Sequence, residues 1–456
     1  MDKTFAAQNF PPRVTPNRRR LGPIGSALVA RRNVLELIPE IAYRQPMVSG
    51  KTGKRWHMVM DPAALRRVLK ENVADYPKSL VTRLMLEPAV GQSMFVAEGA
   101  HWRWQRLAAA PAFAQRHVDA LAPVMSAAAE ASIRRIGAGV AEGQGGIDIF
   151  AEMVAATFEV ISDVTFSDGA GFDRDEVHTA VDRYIAGTAR LSVLDVLGAP
   201  AWIPRPGRLF QGATLRRLKG VADRSIAARR ASGPRPVPDL LDLLQAGVDP
   251  ETGRRMSDAD LRDNLVTFIV AGHETTALTL AWALYLCAFD PAIQERAAEE
   301  AQAVLGGRVA GAGDVANLPY LRQIVEETLR LYPPAAFLSR TAAAPDELGG
   351  REIRSGDTVM LPIYALHRHQ LLWDDPDRFD PDRFAAGTQR DRFAFLPFGA
   401  GPRICIGAGF AIQESVIILA SLLARFRFAL TAQRPEPRMI LTLRPHGGVW
   451  LAVSPR

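Results

Sequence analysis

A histidine, a glutamate and two threonines interrupt the most apolar long stretch of this 456-residue chain, in "IVAGHETTALTL" from Ile269 to Leu280. Polar groups in such a segment cost free energy unless something satisfies them. His273 and Glu274 open like the helical zinc-protease signature, which needs a second histidine one turn on. That position holds Ala277, so the zinc reading fails.

A second candidate is "FGAGPRICIG", Phe398 to Gly407. Its glycines bring one cysteine to the start of an apolar helix beginning near Gly407. Free amides and the helix dipole favour an anion there, so Cys405 is expected as a thiolate. A thiolate in a dry pocket suits a soft or borderline metal. No second cysteine lies nearby, which excludes a tetrahedral zinc or iron–sulfur site, whereas haem iron needs one strong protein ligand. The alternative is an inert buried cysteine in a turn.

Three further groups invite a chemical reading. In "ETLR", Glu327 and Arg330 lie three apart on one helix face and can pair; left in solvent, such a pair is worth under about 1 kcal/mol. In "HWRWQRLAAAPAF", Trp102 and Arg106 lie one turn apart with donors suited to carboxylates, unless Trp102 is packing and Arg106 a surface charge. "HRH" at 367–369 is a weak metal pattern and is read as structural.

These residues need elements to hold them. Ser257 with Asp260 forms a capping box, and Asp290-Pro291 stops the apolar helical run that starts there. The spacing predicts a helix of about 32 residues, close to 48 Å long, which must run through the middle of the protein. "RWHMVMDP" predicts a strand before a helix near Pro62, and helical periodicity dominates from 101 to 232. "SGPRPVPD" (232–239) is the most linker-like stretch. A helix ends at "LRLYPP", strand signals come next at 351–363, then a Pro/Asp-rich coil at 374–384. Mostly helix with a minor sheet is the expected class.

Composition narrows the function. The chain is 48% apolar and 23% charged with a net charge of +6, and only six of its 55 basic residues are lysine. No clustered Lys/Arg run marks a nucleic-acid patch. Two cysteines cannot build a disulfide framework, which points to a reducing, cytoplasmic setting, and Cys287 in "ALYLCAF" reads as a core hydrophobe. The apolar run after Arg18–Arg20 lacks a signal-peptide cleavage pattern. The region around 265–289 is broken by its polar quartet and reads as too short to span a membrane.

Phe398, Gly401, Arg403, Cys405 and Gly407 match, position by position, the haem-ligand signature of the cytochrome P-450 family. The chain resembles that family over nearly its whole length, with four motifs in the right order. The resemblance implies a single mainly α domain over residues 1–456 with a minor β region and a long central helix over haem b. It makes Cys405 the iron ligand, supported by Phe398, and places the propionates on Trp102, Arg106, Arg340 and Arg403, with His101 an alternative donor to Trp102. Glu327 and Arg330 would be buried and joined by Arg383, pinning the coil and the cysteine loop. Ala271 and Gly272 would leave room for dioxygen, Thr275 would offer it a hydroxyl, and Glu274 would relay protons from solvent. A carboxylate–alcohol pair suits that acid work; Thr275 could equally bond back to its own helix, and a local helix distortion could allow both.

The implied reaction inserts one oxygen atom of dioxygen into an organic substrate. Because the resemblance covers the whole chain, no fused reductase is expected, and a ferredoxin with its reductase is implied. Such an acidic carrier would dock on arginines around the cysteine face, including Arg103 and Arg403. The substrate pocket would draw on the loop around Leu84 to Phe95, helices near 180–210, Phe268, Phe337 and the stretch near Pro445, suiting an apolar or amphiphilic small molecule. The rivals are a peroxide-driven peroxygenase and a non-enzymatic haem-thiolate sensor.

Overall fold

The computed structural model describes residues 10–16, 22–166, 212–439 and 441–456. Its axis is the helix Asp258–Phe289, 32 residues long. Ser257 caps it by accepting from the Asp260 amide (3.2 Å) while Asp260 accepts from the Ser257 amide (3.0 Å), which satisfies two orphan donors. Asp290 ends this helix and caps the next, Pro291–Leu305. Around the axis pack Ile149–Phe166, Gly212–Ser232, Pro319–Leu331 and Ala408–Arg425. A helix so enclosed has no polar face, and its residues from Ala277 to Ala288 are all buried.

Two apolar clusters meet along this helix. Leu261, Leu265, Val266, Phe268 and Ile269 belong to one, and Ala277 through Ala288 belong mainly to the other. The polar quartet falls at the junction between them, where a cavity opens against the helix. That explains how polar groups survive mid-helix.

β structure is peripheral. A four-stranded sheet runs in the order Met47–Thr52, Lys54–Val59, Thr358–Leu361, Leu338–Thr341, mixing antiparallel and parallel pairs. A three-stranded sheet joins Ile147–Asp148, Trp450–Pro455 and Phe426–Leu430. Two hairpins complete it, Glu436–Met439 with Leu443–His446 and Asp346–Leu348 with Arg351–Ile353.

Two expectations need revision. The linker-like stretch 232–239 is clamped by a buried ion pair, Arg229 to Asp239 at 2.8 Å through both nitrogens. The central helix and Ala408–Arg425 are long and apolar enough to cross a membrane, contrary to the reading that the polar quartet makes the first too short; here both are largely buried by other helices.

Candidate active site and cofactor pocket

The loop from Phe398 to Gly407 is closed by its own backbone. The Cys405 amide donates to the Phe398 carbonyl (2.9 Å), and the Ile404 amide to that of Gly401 (3.1 Å). Gly401 has φ +69°, and a Cβ there would stand 1.9 Å from the Leu69 carbonyl oxygen. Only glycine fits both conditions.

Cys405 opens onto a cavity of about 1630 Å³, while protein atoms enclose it on the other sides. Burial pushes its thiol above the ordinary range, against the opposing pull of the Gly407 amide and Arg106. The helix start thus offsets only part of the burial, and a bound metal cation would add to the stabilisation of a thiolate there. Cys287, fully buried, is a core thiol pushed up to about 12 by burial. Among the described residues no His, Cys, Asp and Glu cluster could hold a metal ion without a cofactor.

Ala271, Gly272, Glu274 and Thr275 line the same cavity as Cys405, together with Phe398, Trp102, Arg106, Arg340 and Arg403. A Cβ on Gly272 would lie 3.1 Å from Ile161, so its smallness also serves helix packing. The helix is unbroken here rather than distorted. Thr275 donates to the Ala271 carbonyl (2.8 Å) and Thr276 to that of Gly272 (3.2 Å). His273 bonds the Ile269 carbonyl (2.9 Å) and points away, edge-on to Phe158.

Glu274 is not free in this state. It is buried, forms an ion pair with Arg444 and accepts from Thr442 Oγ1 at 2.9 Å. Both partners sit on the chain around the hairpin Glu436–His446. No local signal marks them, because they lie 168 and 170 residues away.

Along one edge of the cavity stand several cations. Arg106 has no ion pair or hydrogen bond to protein among the described residues, and burial lowers its pKa. Arg340, buried, donates to the Ser339 carbonyl (3.0 Å), and burial lowers its pKa to about 10. Arg403 lies 4.1 Å above the Trp102 ring, donates to the Ala97 carbonyl (2.7 Å) and pairs with Glu98. Lys78, half-buried beside them, is pushed down to about 7 by burial and by Arg403. Glu98 and Lys78 were not foreseen, since a lone acid or lysine in a loop carries no motif.

Other expectations fail geometrically. His101 bonds Trp104 (3.3 Å) and Gln105 (3.0 Å) and is not on the cavity wall, so it is no donor to a cofactor. Pro445 is buried in strand pairing with Pro437, and Leu441 and Thr442 of the same region line the cavity instead. Phe95, Phe268 and Phe337 do line it, as do Leu84 and Met85; the helices near 180–210 lie outside the described residues. Arg403 turns inward to Ala97 and Glu98, while Arg103 pairs with Glu251 at 2.9 Å on the surface, its side chain 61% exposed.

Behind the loop, Glu327 and Arg330 are fully buried and paired at 2.6 and 2.7 Å. Arg383 joins at 3.6 Å. Arg330 also donates to the carbonyls of His367 (2.9 Å), Pro376 (2.6 Å) and Arg378 (2.9 Å). His367, kept neutral by burial, accepts from the Leu396 amide at 2.8 Å. "HRH" is thus a structural tie between this helix and the cysteine loop.

One buried acid was missed altogether. Glu414 meets Thr276, has no partner at Oε1, and is pushed up from 4.5 to about 8 by burial. Its folded state holds a proton that the unfolded chain releases, so stability present below pH 4.5 declines as pH rises towards 8. Over that window the loss is on the order of 5 kcal/mol. Urea unfolding of Glu414→Gln at pH 5 and pH 8 should show a much flatter dependence than the wild type; parallel slopes would refute this.

The residues fit a flat, dianionic metalloporphyrin: one thiol open to the cavity, small residues on the facing helix, and the guanidinium groups of Arg106, Arg340 and Arg403 along the wall. At 1630 Å³ the cavity exceeds the roughly 300–1,000 Å³ of an ordinary ligand pocket, leaving room for cofactor and substrate together.

Comparison with known proteins agrees. The family model "Cytochrome P450" matches residues 40–451. The chain is 33% identical to cyclooctatin synthase of Streptomyces melanosporofaciens, covering 92% of each chain. It is 32% identical to cyclooctat-9-en-7-ol 5-monooxygenase of the same organism, over 91% of this chain and 88% of that one. Among solved structures, the haem domain of cytochrome P450DA superposes with a TM-score of 0.79 at 28% identity, covering 90% of both chains.

Proposed function

The chain belongs to the cytochrome P450 family and is a haem-thiolate monooxygenase, and from that premise we propose that it hydroxylates a small apolar or amphiphilic molecule with electrons from a ferredoxin and its reductase. The overall change is substrate C–H plus dioxygen, two electrons and two protons giving substrate C–OH and water. The cytoplasm, where Cys287 and Cys405 stay reduced, is the setting we infer.

The carrying observation is the Cys405 thiol opening onto the same cavity as Ala271, Gly272 and Thr275. Haem b would be held by Cys405, with Arg106, Arg340, Arg403 and Trp102 as the donors suited to its carboxylates, and would supply the dioxygen-activating chemistry. Phe398, Glu327, Arg330 and Arg383 keep the Cys405 loop in place. Thr275 spends its proton on the Ala271 carbonyl, so its oxygen remains an acceptor that can hold a water beside the small residues. Glu274 is the one carboxylate on the cavity wall among the described residues. To pass protons inward it must first exchange Arg444 and Thr442 for water. Oxygen is thereby kept apart from an uncontrolled proton supply.

Glu274's ion pair also fits a peroxide-driven reaction, which needs no relay. Turnover under ¹⁸O-labelled dioxygen with a surrogate ferredoxin system separates the two. Labelled product, one oxygen atom per two electrons, is expected. Unlabelled product, formed only with added hydrogen peroxide, would overturn the proposal.

A further inference from the structure

Asn264, on the central helix upstream of Ala271, is a fully buried amide. Leu261 and Leu265 flank it in an apolar cluster that also takes in Val90, Met94 and Val96. Asn264 Nδ2 donates to Gln105 Oε1 and to the Asp260 carbonyl, each at 2.8 Å, and its Oδ1 accepts from the Met94 amide at 3.1 Å. Gln105 in turn donates to the Gln92 carbonyl at 2.9 Å. To either side, Asp263 accepts from the Gln92 amide (3.1 Å), and the hydroxyls of Thr267 and Ser93 bond each other at 2.7 Å. None of the buried side-chain polar atoms of Ser93, Gln105, Asn264 and Thr267 lacks a partner.

These bonds join three parts of the site. Residues 91–98 form the loop whose Met94 and Phe95 line the cavity. Gln105 lies on the helix Gly99–Ala109, which brings Trp102 and Arg106 to the same cavity. Asp263 and Thr267 continue at four-residue steps into Ala271 and Thr275, so all four share one stripe of the central helix. The far end of the loop is held from the cysteine loop, where Arg403 donates to the Ala97 carbonyl at 2.7 Å and pairs with Glu98. Gly91, with φ +54°, permits the close approach, since a Cβ there would overlap the Asp263 carboxylate.

We propose that Asn264 is a positioning residue for the reaction: it locks the wall loop 91–98 and the helix Gly99–Ala109 onto the central helix, and so sets how closed the cavity is beside Ala271 and Thr275. The tie is geometry; its bearing on turnover rests on the monooxygenase reading. Apolar contact alone would let the loop slide along the helix, whereas a fully paired set of directional bonds specifies one register. Without the Asn264 amide, the Met94 N–H and the Gln105 side-chain oxygen are buried without these partners, which is costly. Gln92 and Phe95 of the same loop are exposed, so the relief is for the loop to lift toward water. Lifting it opens the wall at Met94 and loosens the helix that carries Trp102 and Arg106.

Asn264→Leu, close in shape but unable to bond, tests this in the haem-loaded protein. The telling amides are those of Val96 and Ala97, which bond the Ser93 carbonyl and not Asn264. They should exchange with deuterium about tenfold faster, the scale expected when a buried group loses its partner, while amides of Ala408–Arg425 keep their rates. Carbon monoxide should also rebind faster from solvent after flash photolysis, with its red-shifted band retained. Gln105→Leu should speed the same amides, and the double variant should add little to either single, because both remove one shared bond. If Asn264→Leu does not fold, Ser93→Ala, which deletes one hydroxyl, must speed those amides in its place. Wild-type exchange in the loop of a folded variant, acceleration spread evenly over the chain, full additivity in the double variant, or unchanged carbon monoxide rebinding would each overturn the proposal. A wild type without the red-shifted band would instead sink the monooxygenase reading, and the exchange rates would still decide whether the tie exists.

Discussion

Glu327→Gln should leave a protein that scarcely retains haem. Both oxygens of this buried carboxylate are committed: Oε2 to Arg330 Nε at 2.6 Å, Oε1 to Arg330 Nη2 at 2.7 Å and to the Asp380 amide at 2.9 Å. Glutamine keeps the shape but removes the charge and replaces one acceptor by a donor facing a guanidinium. Arg330 is then a fully buried cation without a counter-ion, a situation worth about 3–5 kcal/mol. Set against a typical stability of roughly 5–15 kcal/mol, that is a large share. The damage also has a direction. Arg330 holds the carbonyls of His367, Pro376 and Arg378, and His367 holds Leu396 two residues before Phe398. Loosening Arg330 therefore loosens the cysteine loop. Arg383→Gln should be milder, because Arg383 stands 3.6 Å from Glu327 without a hydrogen bond to it. Urea midpoints and haem retained after gel filtration measure both, and a Glu327→Gln protein with wild-type values would refute the network's role.

Thr275→Ala should leave a stable enzyme that wastes its electrons. The hydroxyl's bond to the Ala271 carbonyl is local, so its removal costs about 1 kcal/mol at most. The alanine variant lacks the hydroxyl oxygen that the proposed relay uses to hold a water beside Gly272. Product per electron should drop about tenfold, less than the roughly hundredfold or more that a positioned acid–base group contributes, with hydrogen peroxide making up the difference. Thr275→Ser keeps the oxygen and should restore most of the coupling. Unchanged coupling in the alanine variant would leave the relay without support.

Much of this was written in short-range pattern. The central helix shows both its ends in sequence because a capping box and an Asp-Pro step are local devices. Glu327 and Arg330 are legible as one face of one helix, and the cysteine loop by its glycines. What escaped was long-range. Glu274's partners come from a distant hairpin, and nothing near residue 274 announces them. Lys78 and Glu98 gather at the cofactor edge only through folding. Near Pro445 it is Leu441 and Thr442 that reach the cavity while Pro445 pairs with Pro437, a choice that pairing register decides and composition cannot. Local reasoning at Cys405 saw the helix start but not the enclosing protein, whose desolvation outweighs it.

The most direct measurement is the optical spectrum of the reduced, carbon-monoxide-bound protein beside that of Cys405→Ser. Thiolate ligation by Cys405 should give the wild type the strongly red-shifted Soret band from which the family takes its name, and serine should abolish it. An ordinary, unshifted band in the wild type, or an identical shifted band in the serine variant, would mean that Cys405 does not bind the iron.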